Sequence, residues 1–504
     1  MVSANVAVSY SSLVSDDVRR ATRVARAFPT ALAIVCVVTC YAFFAGGGKF
    51  DFRRLGTWEE TNYASLAEGF LHGHLYLWVT PERQLTALPN PYDFAARHGF
   101  NYRWDTSYLN GRYYLYSSPL PVLLAYIPLR FLRGGYPPDS FVALLFSAWA
   151  FLAIVAFARR ALKLGGRPLV IPLTLWVLFI GLGNAAAFVL VSVHMYEISV
   201  LTGMAMTAMW AVALLRFNDS PAPGRAAWVS LWLALAIAAR PNLGVLLVVT
   251  AFVMIAAARK RGPSVKAILV FVAPLAVVAL AMFWYNAARF GDPLEFGIRY
   301  QLTHIDMAGK KVCSLCTFPE LARFGNNVGH YLFWPLQTRS TFPFVDALPA
   351  WLDRAVSWPT PGGVTEQIVG IAPLAPLVLL GVLFAVLLCL GLNRGASDAG
   401  TRSAIHVMAG AWLVLFGLST CWWIVARYSL DFILLMSASA VICIENGLLS
   451  LRAIGVRIFP LRVAVLAAAC YSIVTGLLLG FVGGANAFQR ANPATFEMIS
   501  RWFR

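Results

Sequence analysis

The sequence predicts an all-α polytopic membrane protein, and three observations predict it. Of 504 residues, 59% are hydrophobic and only 12% charged; soluble domains run at about 45–50% apolar and about 25% charged. Apolar runs of membrane-crossing length recur from Pro29 to Gly484. Arginines gather at the ends of those runs, as the positive-inside rule requires. This pattern excludes a disordered chain, a small disulfide scaffold and a nucleic-acid-binding domain as the main reading. The formal net charge of +17 then matches anionic lipid headgroups.

The elements follow in chain order. Residues 1–28 are polar, with Arg19, Arg20, Arg23 and Arg26 just before the first apolar run. No signal-peptide cleavage pattern follows, so 29–45 reads as a retained first span with a cytoplasmic N-terminus. Gly46-Gly47-Gly48 gives a flexible exit into a polar, aromatic-rich outer loop, 46–138. Inside that loop Pro119 to Leu132 is apolar, but as helix it reaches only about 20 Å. That is too short to cross, so it is expected to lie at the outer interface.

This choice sets the topology. Span two falls at 139–158, which leaves Arg159, Arg160, Lys163 and Arg167 cytoplasmic. Further spans are expected at 168–190, 196–215, 226–240, 243–258, 266–287, 368–391, 404–422, 428–447 and 463–482. A second outer loop covers 288–366, and a tail, 483–504, ends outside; the membrane domain as a whole is 29–482. With eleven spans, 19 Lys/Arg and only five acidic residues are cytoplasmic, and the other 18 of the 23 acids face outward. That asymmetry favours eleven spans over twelve. No internal repeat stands out, which argues against an inverted-repeat transporter. No Walker A sequence is present, so the chain is not by itself an ATP-driven pump subunit.

Six of the eight cysteines lie in or beside apolar runs and read as small core residues. Cys313 and Cys316 form a lone CxxC in the second loop. With no distant partner pair, a local disulfide is favoured over zinc.

The unusual polar residues gather in the outer loops. The first carries Trp58-Glu59-Glu60-Thr61-Asn62-Tyr63-Ala64-Ser65-Leu66-Ala67. Stripes such as Glu60, Ala64, Ala67 and Leu71 predict an amphipathic helix starting near Glu59. Acids in a first turn suit the helix dipole. A carboxylate at the membrane surface equally suits a base that takes a proton from a sugar hydroxyl. Further on stand Asp93, then Asp105, Arg112, Tyr113 and Tyr114, where aromatic rings alternate with charge. Rings and carboxylates grip sugars, although rings also populate any membrane interface. His72 and His74 stand two apart beside Glu68, but i and i+2 do not share a helix face. No metal and no other cofactor is predicted.

Taken together these segments resemble the GT-C superfamily of polytopic glycosyltransferases, notably the aminoarabinose transferases and protein O-mannosyltransferases. The acidic pair Glu59-Glu60 and the small-residue helix after span one carry part of the resemblance. Asn110-Gly111-Arg112-Tyr113-Tyr114 followed by Pro119-Leu120-Pro121 carries another part. So do Arg240-Pro241, the segment Trp284 to Gln301, and Arg427-Tyr428. The likeness covers roughly 29–445.

The resemblance implies a GT-C fold with interfacial helices in the first outer loop. It implies inverting transfer from a polyprenyl-phosphate sugar to an outer acceptor, a glycan, glycolipid or protein, in a bacterial inner membrane. Glu59 or Glu60 would be the base, with Asp51 and Asp93 left open because the family usually has Asp where Glu59 stands. Arg240, Arg299 and Arg427 would hold the donor phosphate, with Arg289 a further candidate; Asp93, Asp105, Arg112, Tyr113 and Tyr114 would orient sugar and acceptor. Ser118 stands where the family often has a charged residue or His, so a phosphate contact expected there must come from elsewhere. The rival from another class is a flippase for lipid-linked sugars. It would need charge in mid-span, whereas nearly all the charge here sits at span ends.

Overall fold

A computed structural model describes residues 28–164, 168–261, 265–304, 306–307, 321–349, 367–392, 398–421 and 424–504. The N-terminal arginines, Arg167, Arg394 and the Cys313/Cys316 pairing lie outside the described residues. Among the described residues, eight helices are long and apolar enough to cross a membrane. They are Phe28–Ala45, Asp139–Lys163, Met195–Asp219, Pro241–Lys260, Val265–Phe290, Ala399–Ser419, Ile433–Ala453 and Phe459–Val482. Three shorter apolar helices, Leu173–Leu182, Pro223–Ala239 and Pro376–Leu392, stand where the third, fifth and eighth spans are expected. The protein is an all-α polytopic membrane protein.

Local chemistry explains two of the short helices. Asn184 donates to the Ile180 carbonyl at 2.8 Å, while its side-chain oxygen accepts from the Ala186 amide at 2.8 Å. One side chain thus ends the Leu173–Leu182 helix and opens the next, Ala186–Leu190. The Pro223–Ala239 helix stops because Pro241 follows. A residue before proline is pushed out of the helical region, and Arg240 is extended, φ −148° and ψ 107°.

Close packing is made possible by small residues. A Cβ on Gly476 would lie 1.9 Å from the Leu182 carbonyl oxygen, and one on Gly381 would lie 2.3 Å from the Ala440 Cβ. Small residues let helix backbones approach where lipid offers no hydrophobic driving force. The Val265–Phe290 helix stands at the periphery against Pro223–Ala239, with Val277, Leu280 and Trp284 exposed.

The long loop after the first span holds short, defined elements. The helix expected near Glu59 begins instead at Asn62. Thr61 caps it, its hydroxyl accepting from the Ala64 amide at 3.2 Å. Glu59 and Glu60 therefore lie ahead of the helix, not in its first turn, because the cap fixes the start. The stretch expected at the interface is a π turn, Val122–Tyr126, running into Ile127–Arg133. Asn110 and Gly111, both at positive φ, turn Ser107–Leu109 back on Arg112–Tyr114. That is the turn an Asn-Gly pair favours.

Candidate functional site

Asp105 lies where the loop after the first span meets the loop after the Val265–Phe290 helix. The hairpin places it one residue before Thr106, and the second loop stitches onto both. The Asp105 amide donates to the Leu302 carbonyl at 3.1 Å, and the Leu302 amide donates to the Thr106 carbonyl at 2.9 Å. Ser107 adds a bond to the Gly297 carbonyl at 2.8 Å. Asp105 itself has φ +56°. Asp tolerates this left-handed region better than most residues, and such conformations cluster at functional sites.

The Asp105 carboxylate meets side chains from distant parts of the chain. Tyr116 donates to it at 3.3 Å, and Tyr196 donates a shorter bond to the same oxygen. Burial pushes the carboxyl up to about 6; the two phenols, Arg427 and His304 pull in the opposite direction. A carboxylate near 6 is a stronger base than an ordinary one and still ionised at neutral pH.

Tyr196 and Glu197 sit in the first turn of the Met195–Asp219 helix. Glu197 caps it, accepting from the His194 amide at 2.8 Å. The other Glu197 oxygen lies 3.6 Å from Arg427. Arg427 in turn lies over the Tyr196 ring at 4.8 Å and over Tyr428 at 5.7 Å. Its position comes from the short 3-10 helix Ala426–Asp431, which leads into Ile433–Ala453. Asp105, Tyr196, Glu197 and Arg427 thus form one continuous cluster of acid, ring and base.

Arg240 reaches the far side of the same assembly. It lies over the Tyr428 ring at 4.8 Å and donates from Nε to Asp431 at 2.8 Å. Asn242 donates to the same Asp431 oxygen at 3.0 Å. Asp431 is fully buried, so this pair is a buried ion pair that depends on both partners.

The other expected residues are placed differently. Glu59 and Glu60 are exposed; Glu60 lies 3.5 Å from Arg54, and the Glu59 carbonyl accepts from Arg103. Asp93 is exposed and closes a turn onto the Ala95 amide at 2.9 Å. Arg112 is exposed and stacks over Tyr76 at 4.4 Å. Tyr113 and Tyr114 are buried, against Tyr108 and Phe290 respectively. Arg299 is exposed in the second loop. Arg289 is buried, donating to the Leu115 carbonyl and to Asn286 at 2.7 Å each. His72 and His74 both stack on Trp78, with ring centroids 4.4 and 5.3 Å away. Among the described residues no group of three His, Cys, Asp or Glu is arranged to hold a metal ion.

Sequence reasoning missed Tyr196, Glu197 and the partnership of Asp431 with Arg240. A signal existed: His194, Tyr196 and Glu197 are three polar residues opening an otherwise apolar run. Its partners, Asp105 and Arg427, are 91 and 231 positions away in sequence, and no local pattern pairs them.

No protein-family profile matches this sequence, and no curated protein matches it. Among solved structures the chain is similar to the archaeal oligosaccharyltransferase AglB from Archaeoglobus fulgidus, solved in complex with an inhibitory peptide and a dolichol-phosphate. The two are 13% identical with a TM-score of 0.46, and the match covers 94% of this chain. This chain spans 59% of the length of that one.

Proposed function

We propose that this protein is a membrane glycosyltransferase. It moves a sugar from a polyprenyl-phosphate carrier to an acceptor hydroxyl at the outer, periplasmic face of a bacterial inner membrane. The observation that carries this reading is the Asp105–Tyr196–Arg427 cluster: a carboxylate with its pKa near 6, one ring away from a guanidinium at a helix end.

The chemistry follows from those groups. Asp105 takes the acceptor hydroxyl proton as the acceptor oxygen bonds to the sugar C1. The bond from C1 to the phosphate oxygen breaks, and its electron pair leaves with the carrier phosphate. Direct displacement inverts the sugar carbon. Arg427 faces the growing negative charge on the phosphate, where a preorganised guanidinium is worth most. In this reading the base is Asp105 and not Glu59, because Asp105 combines burial with fixed donors. Glu59 and Glu60 stay exposed outside this cluster, and Arg299 stands exposed on the second loop. Tyr113 and Tyr114 hold the hairpin that carries Asp105.

The test uses the full-length protein in nanodiscs with polyprenyl-phosphate sugars, following release of free polyprenyl phosphate. Release that Asp105→Asn abolishes and Glu59→Gln leaves intact supports this reading. Release abolished by Glu59→Gln moves the base to that carboxylate. Donor that is never cleaved, but crosses the bilayer, overturns the transferase reading in favour of a flippase.

A further inference from the structure

We propose that Tyr196 is a positioning residue that locks the Asp105 carboxylate and the Arg427 guanidinium into one register. The inference rests on the transferase reading for its consequence in catalysis, but the coupling itself is a property of the fold.

One side chain makes both contacts. The Tyr196 hydroxyl donates to Asp105, and the face of the same ring carries Arg427 at 4.8 Å. A phenol is rigid, so moving either end moves the other. The ring is fixed in turn by its backbone. Tyr196 is the second residue of the Met195–Asp219 helix, and its neighbour Glu197 both caps that helix and lies 3.6 Å from Arg427. Arg427 is therefore held from two adjacent positions on one helix end, by a carboxylate and by a ring face. The first outer loop, the fourth span and the 3-10 helix before Ile433–Ala453 meet at this one tyrosine. Direct displacement needs attacking oxygen and leaving phosphate in line, and small misplacements cost large factors in rate. A bridge between the two groups that face those atoms meets that need.

The charged and titratable groups facing Asp105 are Tyr116 from its own loop, Tyr196, Arg427, and His304 from the second loop. Tyr196 stabilises the ionised carboxylate by donating to it, so its removal raises the Asp105 pKa. Two variants separate the two contacts. Tyr196→Phe keeps the ring under Arg427 and loses the hydroxyl; Tyr196→Leu loses both.

The first measurement needs no turnover. The carboxyl band of Asp105, obtained by difference infrared titration of the nanodisc protein against Asp105→Asn, is followed with pH. In Tyr196→Phe its midpoint is expected to rise by about one unit. An unmoved midpoint overturns the coupling. The second measurement is polyprenyl-phosphate release across pH. Tyr196→Phe is expected to move the acid limb of kcat/KM upward with donor KM nearly unchanged. Tyr196→Leu is expected to raise donor KM about tenfold as well, because Arg427 loses its seat. Identical profiles for the two variants overturn the bridging role. A shifted infrared midpoint with no release in the wild type leaves the coupling standing and overturns the transferase reading alone.

Discussion

A fully buried carboxylate inside a helix and a half-buried one in a loop satisfy their charge in different ways, and the difference bears on which of them suits the proposed base. Glu445 lies within the Ile433–Ala453 helix with no exposed surface. It accepts three bonds of 2.8 Å, from the Val170 amide, the Ile171 amide and the Trp176 indole. Two donors are backbone, all three are fixed, and together they tie the start of the Leu173–Leu182 helix to a later span. Asp105 is half-buried and held mainly by two phenols, with a guanidinium beyond them. Both acids answer the cost of burial with hydrogen bonds. Glu445 is saturated by donors that cannot leave. Asp105 keeps an exposed side and donors on separate elements, as the proposed role of a base towards an acceptor hydroxyl requires.

The largest expected effect is on catalysis. Asp105→Asn should reduce polyprenyl-phosphate release by about 10²–10⁴-fold, the usual contribution of a general base. It should do so without loss of thermal stability. The sign follows from linkage: a carboxyl whose folded pKa is raised disfavours the folded state at every pH above that pKa. That penalty disappears as pH falls through about 6 towards the unfolded value, and Asn removes it at all pH. A large fall in Tm at pH 7.5 for Asp105→Asn would place Asp105 with Glu445 as a structural acid.

Next comes the Arg240–Asp431 pair. Arg240→Ala leaves a buried charge and should cost about 3–5 kcal/mol of stability. Arg240→Ala with Asp431→Asn should recover much of that loss in thermal unfolding. If the double variant is stable and its donor KM is normal, Arg240 is not a phosphate ligand. A donor KM raised tenfold in the stable double variant would return Arg240 to the phosphate.

Glu445→Gln should cost about 2–3 kcal/mol, because one of its three donors is left facing an amide N–H. Trp176→Phe removes a single donor and should cost about 1 kcal/mol. Neither should change the acid limb of the pH profile measured on the folded fraction. A moved limb would break the contrast between the two acids.

The pH profile itself is the finer test. Release should fall as pH drops below about 6, where the Asp105 carboxylate takes up its proton. An acid limb near 4 would instead indicate an ordinary, exposed carboxylate. The smallest effect belongs to Glu59→Gln, which should leave stability within about 0.5 kcal/mol, since Glu59 is exposed and outside the Asn62–Leu71 helix.

How far the sequence reached can be read element by element. The Met195–Asp219 and Phe459–Val482 helices stand within a few residues of the expected 196–215 and 463–482. Long apolar runs leave few alternatives, since every backbone group in a bilayer must be bonded internally. The third span was less legible, because Asn184 breaks a run that hydropathy alone reads as continuous, whereas the break at Pro241 falls between the expected 226–240 and 243–258. Asp105, Arg240 and Arg427 were singled out from residue type and place, but not for the partners they have. The Glu59 helix start was misplaced by three residues, because an acidic first turn and a threonine cap compete and the cap wins.

The sequence by itself determined that this is a helical membrane protein and where most of its helices run. It also determined that its charged residues lie at span ends and in the long loops. Those are local properties of hydrophobic length, charge placement and turn chemistry. Only the tertiary structure decided which acid is paired with which base. Tyr196, Asp105 and Arg427 meet because a helix start, a 3-10 helix and the loop before a hairpin converge, and Glu59 stays apart because its helix starts after it. Contacts between residues that far apart are set by packing over the whole bundle, which no local pattern encodes.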